Sequence, residues 1–230
     1  VDAWCEAADD HAAVALLPFH GVYRACVRAL VAWLGPAAGQ AGARRYLQTA
    51  DRLAVAASRP ATLTITHGMS GSGKSVAAHR VVASDGALRL RSDVERKRLA
   101  GLDPLADSKA SGVDLYTLDW SKRTYARLES LADMILGCGK SVVVDAAFLK
   151  RGERRRFGAV ATRHGVGFRI IDCRADVETL RRRIAARAAS GGDPSEATVA
   201  VLARQLEAVE PIDADDRRAA SIIDAGGPPP

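Results

Sequence analysis

Eight consecutive residues carry the strongest chemical signal in the chain: Gly68-Met69-Ser70-Gly71-Ser72-Gly73-Lys74-Ser75. They fit the pattern G-x-x-x-x-G-K-[ST] at every fixed position. The spacing suits the holding of a phosphate tail. Glycines let successive backbone N–H groups converge on phosphate oxygens, and a helix that starts at the end of the loop turns its positive pole toward them. Lys74 can reach the β- and γ-phosphates, and the Ser75 hydroxyl can ligate Mg²⁺. The expected nucleotide site takes in Gly68, Ser70, Gly71, Ser72, Gly73, Lys74, Ser75 and Val76, with ATP and Mg²⁺ as cofactors. The bland alternative is a chance match in a glycine-rich turn. A strand pattern before the loop and a helix pattern after it weigh against that.

Two acids stand where such a site needs them. Asp145 closes the run Val142-Val143-Val144, the expected Walker B position for a carboxylate that binds Mg²⁺ or its waters. The competing reading is a carboxylate in a strand-end turn. Asp93 follows Arg91-Ser92 at the end of a second strand pattern, with Arg96 one helical turn on. A carboxylate there can take the proton of an attacking hydroxyl, and Arg96 can bind an acceptor anion. Equally, Ser92 or Asp93 could be the N-cap of the Val94 to Ala100 helix.

Arginines supply the remaining charge. Arg183 and Arg187 are four apart on one predicted helix and share a face. Ahead of the Gly191-Gly192 break they suit a lid that closes on a transferring phosphate, or else form a solvated basic face. Arg151, Arg154, Arg155 and Arg156 form a second run, read as a solvated face rather than a nucleic-acid surface. Phe148 and Phe157 flank it but are too few for a base-stacking platform. Trp120 and Tyr125 are read as core. His67 has no partner nearby in sequence and is read as structural.

The elements that must hold these residues follow from periodicity. Ala12 to Leu34 carries apolar residues at helical spacing (Leu16, Val22, Cys26, Leu30, Leu34), is interrupted at Pro18 and ends at Gly35-Pro36. A second helix is expected over Ala43 to Ala57, and Arg59-Pro60 marks a boundary. Strands are expected at Leu63–His67, Leu88–Arg91, Ser141–Val144, Phe168–Cys173 and Ser221–Asp224. Helices are expected at Ser75–Ala83, Trp120–Leu136, Gly152–His164 and Val177–Ala189. Asp193-Pro194-Ser195-Glu196 has the form of a helix start, with Asp193 as N-cap and Glu196 closing a capping box. Alternating strands and helices give an α/β fold: a five-stranded parallel sheet in three αβα layers, as in nucleotide-kinase-like P-loop NTPases, preceded by a short helical segment. Residues 1–57 form that segment, 58–227 the sheet domain and 228–230 a tail.

Composition narrows the class. The 230 residues are 48% hydrophobic and 26% charged, ordinary for a globular chain, and the net charge of +6 favours anionic partners. No apolar run approaches a membrane span, and no signal peptide is visible. Cys5, Cys26, Cys138 and Cys173 lack zinc-like spacing and read as reduced, buried thiols of a cytoplasmic protein.

On these motifs the chain resembles small P-loop kinases of the AAA_33 or zeta-toxin-like type, relatives of polynucleotide kinase, gluconate kinase and chloramphenicol phosphotransferase. The resemblance covers about residues 61–225. It rests on Gly68 to Ser75, Ser92-Asp93 with Arg96, Val144-Asp145 with Glu153-Arg154-Arg155, and Leu180 with Arg183 and Arg187. It implies that Asp93 is the general base, Arg96 an acceptor contact, and Arg183 and Arg187 lid contacts to ATP. The chain is also similar to the carboxy-terminal part of bifunctional aminoglycoside phosphotransferase/ATP-binding proteins. That likeness lies in Leu16 to Arg28, Tyr46-Leu47, Asp172-Cys173-Arg174-Ala175, Gly191 to Ala197, and Gln205 with Glu210-Pro211. It implies an upstream phosphotransferase-like domain as a partner, and no aminoglycoside phosphorylation by these 230 residues. The expected activity is transfer of the γ-phosphate of ATP to a hydroxyl of a small molecule. The alternatives are a polynucleotide 5′-hydroxyl kinase, which would bind nucleic acid, and a non-catalytic regulatory ATP-binding module.

Overall fold

The structure, a computed structural model, describes residues 1–36, 39–108, 112, 114–190, 193–219 and 221–224, with backbone alone at 219 and 221–224. The predicted Gly191-Gly192 break and the 228–230 tail lie outside the described residues.

The centre of the fold is a parallel sheet. Strand β1 (Thr62–His67) lies between β3 (Val142–Asp145) and β4 (Gly167–Asp172), and β2 (Leu88–Arg91) lies outside β3. The β-branched runs of β1 and β3 are buried almost throughout, as strands covered on both faces must be. These four strands have described side chains. A fifth, β5 (Ser221–Asp224), is described in backbone only and pairs in parallel with β4. The sheet of five expected from sequence is thus four strands placed with their side chains and one short backbone edge.

Helices cover both faces. On one, α6 (Leu118–Gly137) and α7 (Arg151–Arg163) bring Leu128, Ile135, Phe157 and Val160 against Leu63, Ile65 and Val144. On the other, α4 (Lys74–Asp85) packs Ala77, Ala78 and Val81 against Val143 and Ile171. Successive strand residues face opposite ways, so neighbours within one valine run serve different cores. The connections reverse direction around β1, and the crevice at the carboxyl ends of β1 and β3 is where such sheets bind ligands.

The first 57 residues are helical, but differ in detail from the periodicity. Helix α1 (Asp2–Ala8) lies against β2, where Asp2 Oδ1 accepts from the Arg89 backbone N–H at 2.6 Å. A 3₁₀ turn (Ala12–Ala15) leads into α2 (Leu17–Trp33). Pro18 opens α2 rather than interrupting it, because the first turn needs no N–H from that position. Helix α3 (Gly39–Ala57) packs on α2, and the buried residues of the pair are small: Ala25 and Ala29 on α2, Ala43 and Ala50 on α3. The large apolar residues of the helical stripe, Leu16, Leu30 and Leu34, are exposed, as are Phe19 and Trp33.

The cysteines are thiols, but only Cys5 and Cys173 are buried; Cys26 is exposed and Cys138 half-buried. No helix among the described residues is long and apolar enough to cross a membrane.

Candidate active site

The phosphate loop runs from the end of β1 into α4, as its flanking patterns require. Gly68 sits at φ +144°, and a Cβ there would lie 2.3 Å from the Cys173 carbonyl oxygen. Gly71, at φ +85°, would meet the Leu180 carbonyl at 3.0 Å. Both glycines are fixed by close backbone approach as well as by dihedral angle. Lys74 Nζ donates to the Met69 carbonyl at 2.7 Å, across its own loop. Burial pushes the Lys74 ammonium below its usual range, opposed first by the Asp145 carboxylate.

Asp145 is the last residue of β3 and is buried. Burial pushes its carboxyl up, against the Lys74 charge and a hydrogen bond from the Ser75 hydroxyl. The two residues expected to hold Mg²⁺ therefore already touch. A buried carboxylate and a hydroxyl beside a lysine form a hard-oxygen donor set of the kind Mg²⁺ takes together with phosphate oxygens and water.

Helix α5 (Ser92–Leu99) starts directly at the end of β2, with Arg91 as its N-cap and no side-chain cap. The capping role open to Ser92 and Asp93 is not used. Asp93 instead accepts from Arg96 Nη1 at 3.0 Å, and the guanidinium lies over the Tyr116 ring at 4.8 Å. Asp93, Arg96, Lys74, Ser75 and Asp145 all line one cavity of about 520 Å³.

The arginine pair sits on α8 (Val177–Ser190), which packs with α9 (Val199–Ala208) over the loop through Leu180, Ile184, Leu202 and Met69. Both arginines line the same cavity, but each donates to a carbonyl: Arg183 to Gly71 at 3.1 Å and Arg187 to Ala197 at 3.3 Å. Gln205 of α9 also enters. Its Oε1 accepts from the Ser70 backbone N–H at 2.8 Å. Val76 and Ser70 line the cavity too.

Several expectations change here. The helix predicted from Asp193 begins at Val199, with Thr198 as its cap. Tertiary charges claim the residues that would have capped it: Asp193 pairs with Arg91 at 3.3 Å, and Glu196 with Lys97 at 2.8 Å. These pairs tie the segment beneath α9 to the Asp93 side of the cavity. The run Arg151 to Arg156 is not simply a solvated face. Arg154, 1% exposed, pairs with Asp216 at 2.8 Å and donates to the carbonyls of Phe148, Glu210 and Pro211. Phe148 and Phe157 are core, edge to face at 4.8 Å. Trp120, read as core, is only partly buried, with Arg123 over its ring at 4.3 Å. Ser72 does not line the Lys74 cavity but a different one.

Other cavity residues were given no site role from the sequence. Tyr125, expected as core, is buried, but its hydroxyl accepts from the Phe148 N–H at 2.9 Å and borders the cavity. Glu153 stands beside it; burial raises its carboxyl, opposed by hydrogen bonds from the Lys150 backbone and the Tyr125 hydroxyl. Tyr116 lies in a segment without periodicity, and burial pushes its phenol up.

This strand order, with the loop after β1, the acid at the end of β3 and the arginine helix after β4, defines a P-loop kinase-like fold. The chain belongs to the AAA_33 family (AAA domain), whose model matches residues 63–212. It is 30% identical over 210 residues to uncharacterized proteins of Mycobacterium tuberculosis and Mycobacterium bovis. The match covers 86% of this chain and 41% of theirs, so the chain spans less than half the length of these relatives. Among solved structures it is similar in fold to an unliganded sugar kinase from Janibacter sp. (TM-score 0.53, 22% identity, 74% of this chain and 88% of that one). It is also similar to Kti12 of Chaetomium thermophilum in complex with ADP-AlF3 (TM-score 0.52, 16% identity, 70% and 87%).

Proposed function

We propose that this chain is an ATP- and Mg²⁺-dependent kinase of the cytoplasm that transfers the γ-phosphate to a hydroxyl of a small molecule. The observation that carries this reading is the convergence of Lys74, Ser75, Asp145, Asp93 and Arg96 on one cavity. Ser75 and Asp145 would hold the metal, which when bound shares the charge of the phosphate tail. Lys74 would leave the Met69 carbonyl for the β- and γ-phosphates. Arg183 and Arg187 would turn from their carbonyls onto the transferring group. Asp93, oriented by Arg96, would accept the proton of the attacking hydroxyl. Such transfer is mainly positioning and electrostatics, and these groups supply both. The cavity walls of Tyr116, Ser121, Tyr125 and Glu153 suit a compact hydroxylated acceptor rather than a polymer.

The reading is tested by screening a metabolite library for ATP consumption, with Lys74→Ala as the control for contaminating kinases. On the acceptor found, Asp93→Asn should lower transfer by about 10²–10⁴-fold while leaving nucleotide affinity nearly unchanged. Absence of magnesium-nucleotide association in calorimetry would overturn it. Undiminished transfer by Asp93→Asn would remove the assigned base.

We also infer that the α2–α3 pair seats against an upstream phosphotransferase-like domain in a longer protein. Phe19, Trp33 and Leu34 are 67%, 58% and 76% exposed on that pair, and the relatives are more than twice as long as the matched segment. Hydrogen exchange on a longer protein should show α2 protected relative to this chain.

A further inference from the structure

The cavity of Lys74 and Asp93 has walls beyond the phosphate loop: Tyr116 and Thr117 ahead of α6, Ser121 and Tyr125 on it, and Glu153 on α7. All but Glu153 carry a hydroxyl.

Glu153 stands apart by its charge. It is half-buried rather than sealed. The cations nearest to it along the chain are engaged elsewhere: Lys150 with Glu210 at 3.4 Å, Arg154 with Asp216 at 2.8 Å, and Arg156 with Glu129. Among the described residues none forms an ion pair with Glu153. Its donors are the Lys150 backbone N–H, at the cap of α7, and the Tyr125 hydroxyl. A carboxylate offers about four acceptor sites, so capacity is left for a ligand. A half-buried carboxylate without a counter-charge gains from each further donor.

The surrounding charges decide which donors fit. Asp93 is a second carboxylate of this cavity, and Arg96 beside it is already bound to it at 3.0 Å. An anionic acceptor would meet the Glu153 charge with the neighbouring cations taken. A cationic acceptor would enter a cavity also lined by Lys74, Arg183 and Arg187. Neutral hydroxyl groups are opposed by neither.

We propose that Glu153 sets acceptor specificity: the acceptor is a neutral polyol, with one hydroxyl at Asp93 and a second donating to Glu153. The hydroxyl at Asp93 gives its proton to that carboxylate, and its oxygen takes the γ-phosphoryl group as the bond to the ADP oxygen breaks. That transfer rests on the kinase reading above; the anchoring of a polyol at Glu153 does not.

Binding and transfer are therefore read separately on the whole chain. Saturation-transfer NMR compares glucose, galactose and mannose, each beside its uronate and its 2-amino form, so that one ring is presented neutral, negative and positive. At least one neutral sugar should bind, with its two charged forms about tenfold weaker. Glu153→Gln keeps an acceptor for the Lys150 N–H and removes the charge. The gap to the uronate should narrow and the gap to the amino sugar should widen, opposite changes that a purely structural glutamate would not produce. A wild type that binds no neutral sugar, or prefers a charged form, overturns the proposal even where the variant does not fold. Unmoved ratios in a folded variant overturn it too. Neutral-sugar binding without magnesium-nucleotide association would leave the anchor standing and remove the kinase reading; nucleotide association without sugar binding would do the reverse.

Discussion

The backbone N–H of Ser70 donates to Gln205 Oε1 at 2.8 Å, so a residue of α9 holds a backbone amide of the phosphate loop. Lys74 on Met69 and Arg183 on Gly71 repeat the theme: loop carbonyls hold the cations that a nucleotide would need. On the reading proposed above, nucleotide binding would exchange these bonds for new ones.

Removing one such competitor should help. Gln205→Ala is expected to raise magnesium-nucleotide affinity by about two- to tenfold, the worth of one net hydrogen bond. Isothermal titration calorimetry checks it. A weaker affinity in the variant would mean that Gln205 contacts nucleotide rather than displacing it.

Proton linkage at Asp145 gives a pH dependence whose sign is fixed. Its folded-state carboxyl is raised by burial, so it takes up a proton at a higher pH than an exposed aspartate, whose value is about 3.9. Metal binding needs the carboxylate. Magnesium-nucleotide affinity should therefore fall on acidification before the exposed carboxylates titrate. The unliganded protein behaves oppositely: a raised folded pKa contributes stability below the unfolded value, and that contribution is lost as pH rises through the folded one. Calorimetric affinities and melting temperatures across the acid range check both signs, and Asp145→Asn should flatten each.

The lid-side tether is testable apart from the chemistry. Lys97 is almost fully buried, and its ammonium meets Glu196 at 2.8 Å. Burial pushes the Glu196 carboxyl up, but hydrogen bonds from Lys97 and Ser108 prevail and hold it low. Glu196→Gln leaves Lys97 without its counter-charge and should free the 193–198 segment. Faster proteolysis in that segment is the expected result, with the sheet core unchanged in hydrogen exchange.

Arg154 and Asp216 form a buried pair at 2.8 Å that holds the 210–216 segment against α7. Arg154→Met leaves the Asp216 carboxylate buried without its counter-charge, with the Asp213 N–H as a remaining donor, and should cost about 3–5 kcal/mol in denaturant melts. The double variant Arg154→Met with Asp216→Leu should recover part of that loss.

Local patterns in the sequence were enough for the phosphate loop, for Asp145 after three valines and for the alternation of strands and helices. Each is set by neighbours a few residues apart: a glycine dihedral, a β-branched run, a helical period. The four strands with described side chains were legible for the same reason. Tertiary structure decided which charges pair and which side chains meet. Arg154 looked like its neighbours in a basic run until Asp216 came alongside from the far end of the domain. Asp193 and Glu196 satisfied a local capping rule until Arg91 and Lys97 claimed them. His67 had no visible partner because Asp172 is distant in sequence and adjacent only through the parallel register of β1 and β4. Ion pairs and buried hydrogen bonds depend on separation in space, which the order of residues along a chain does not state.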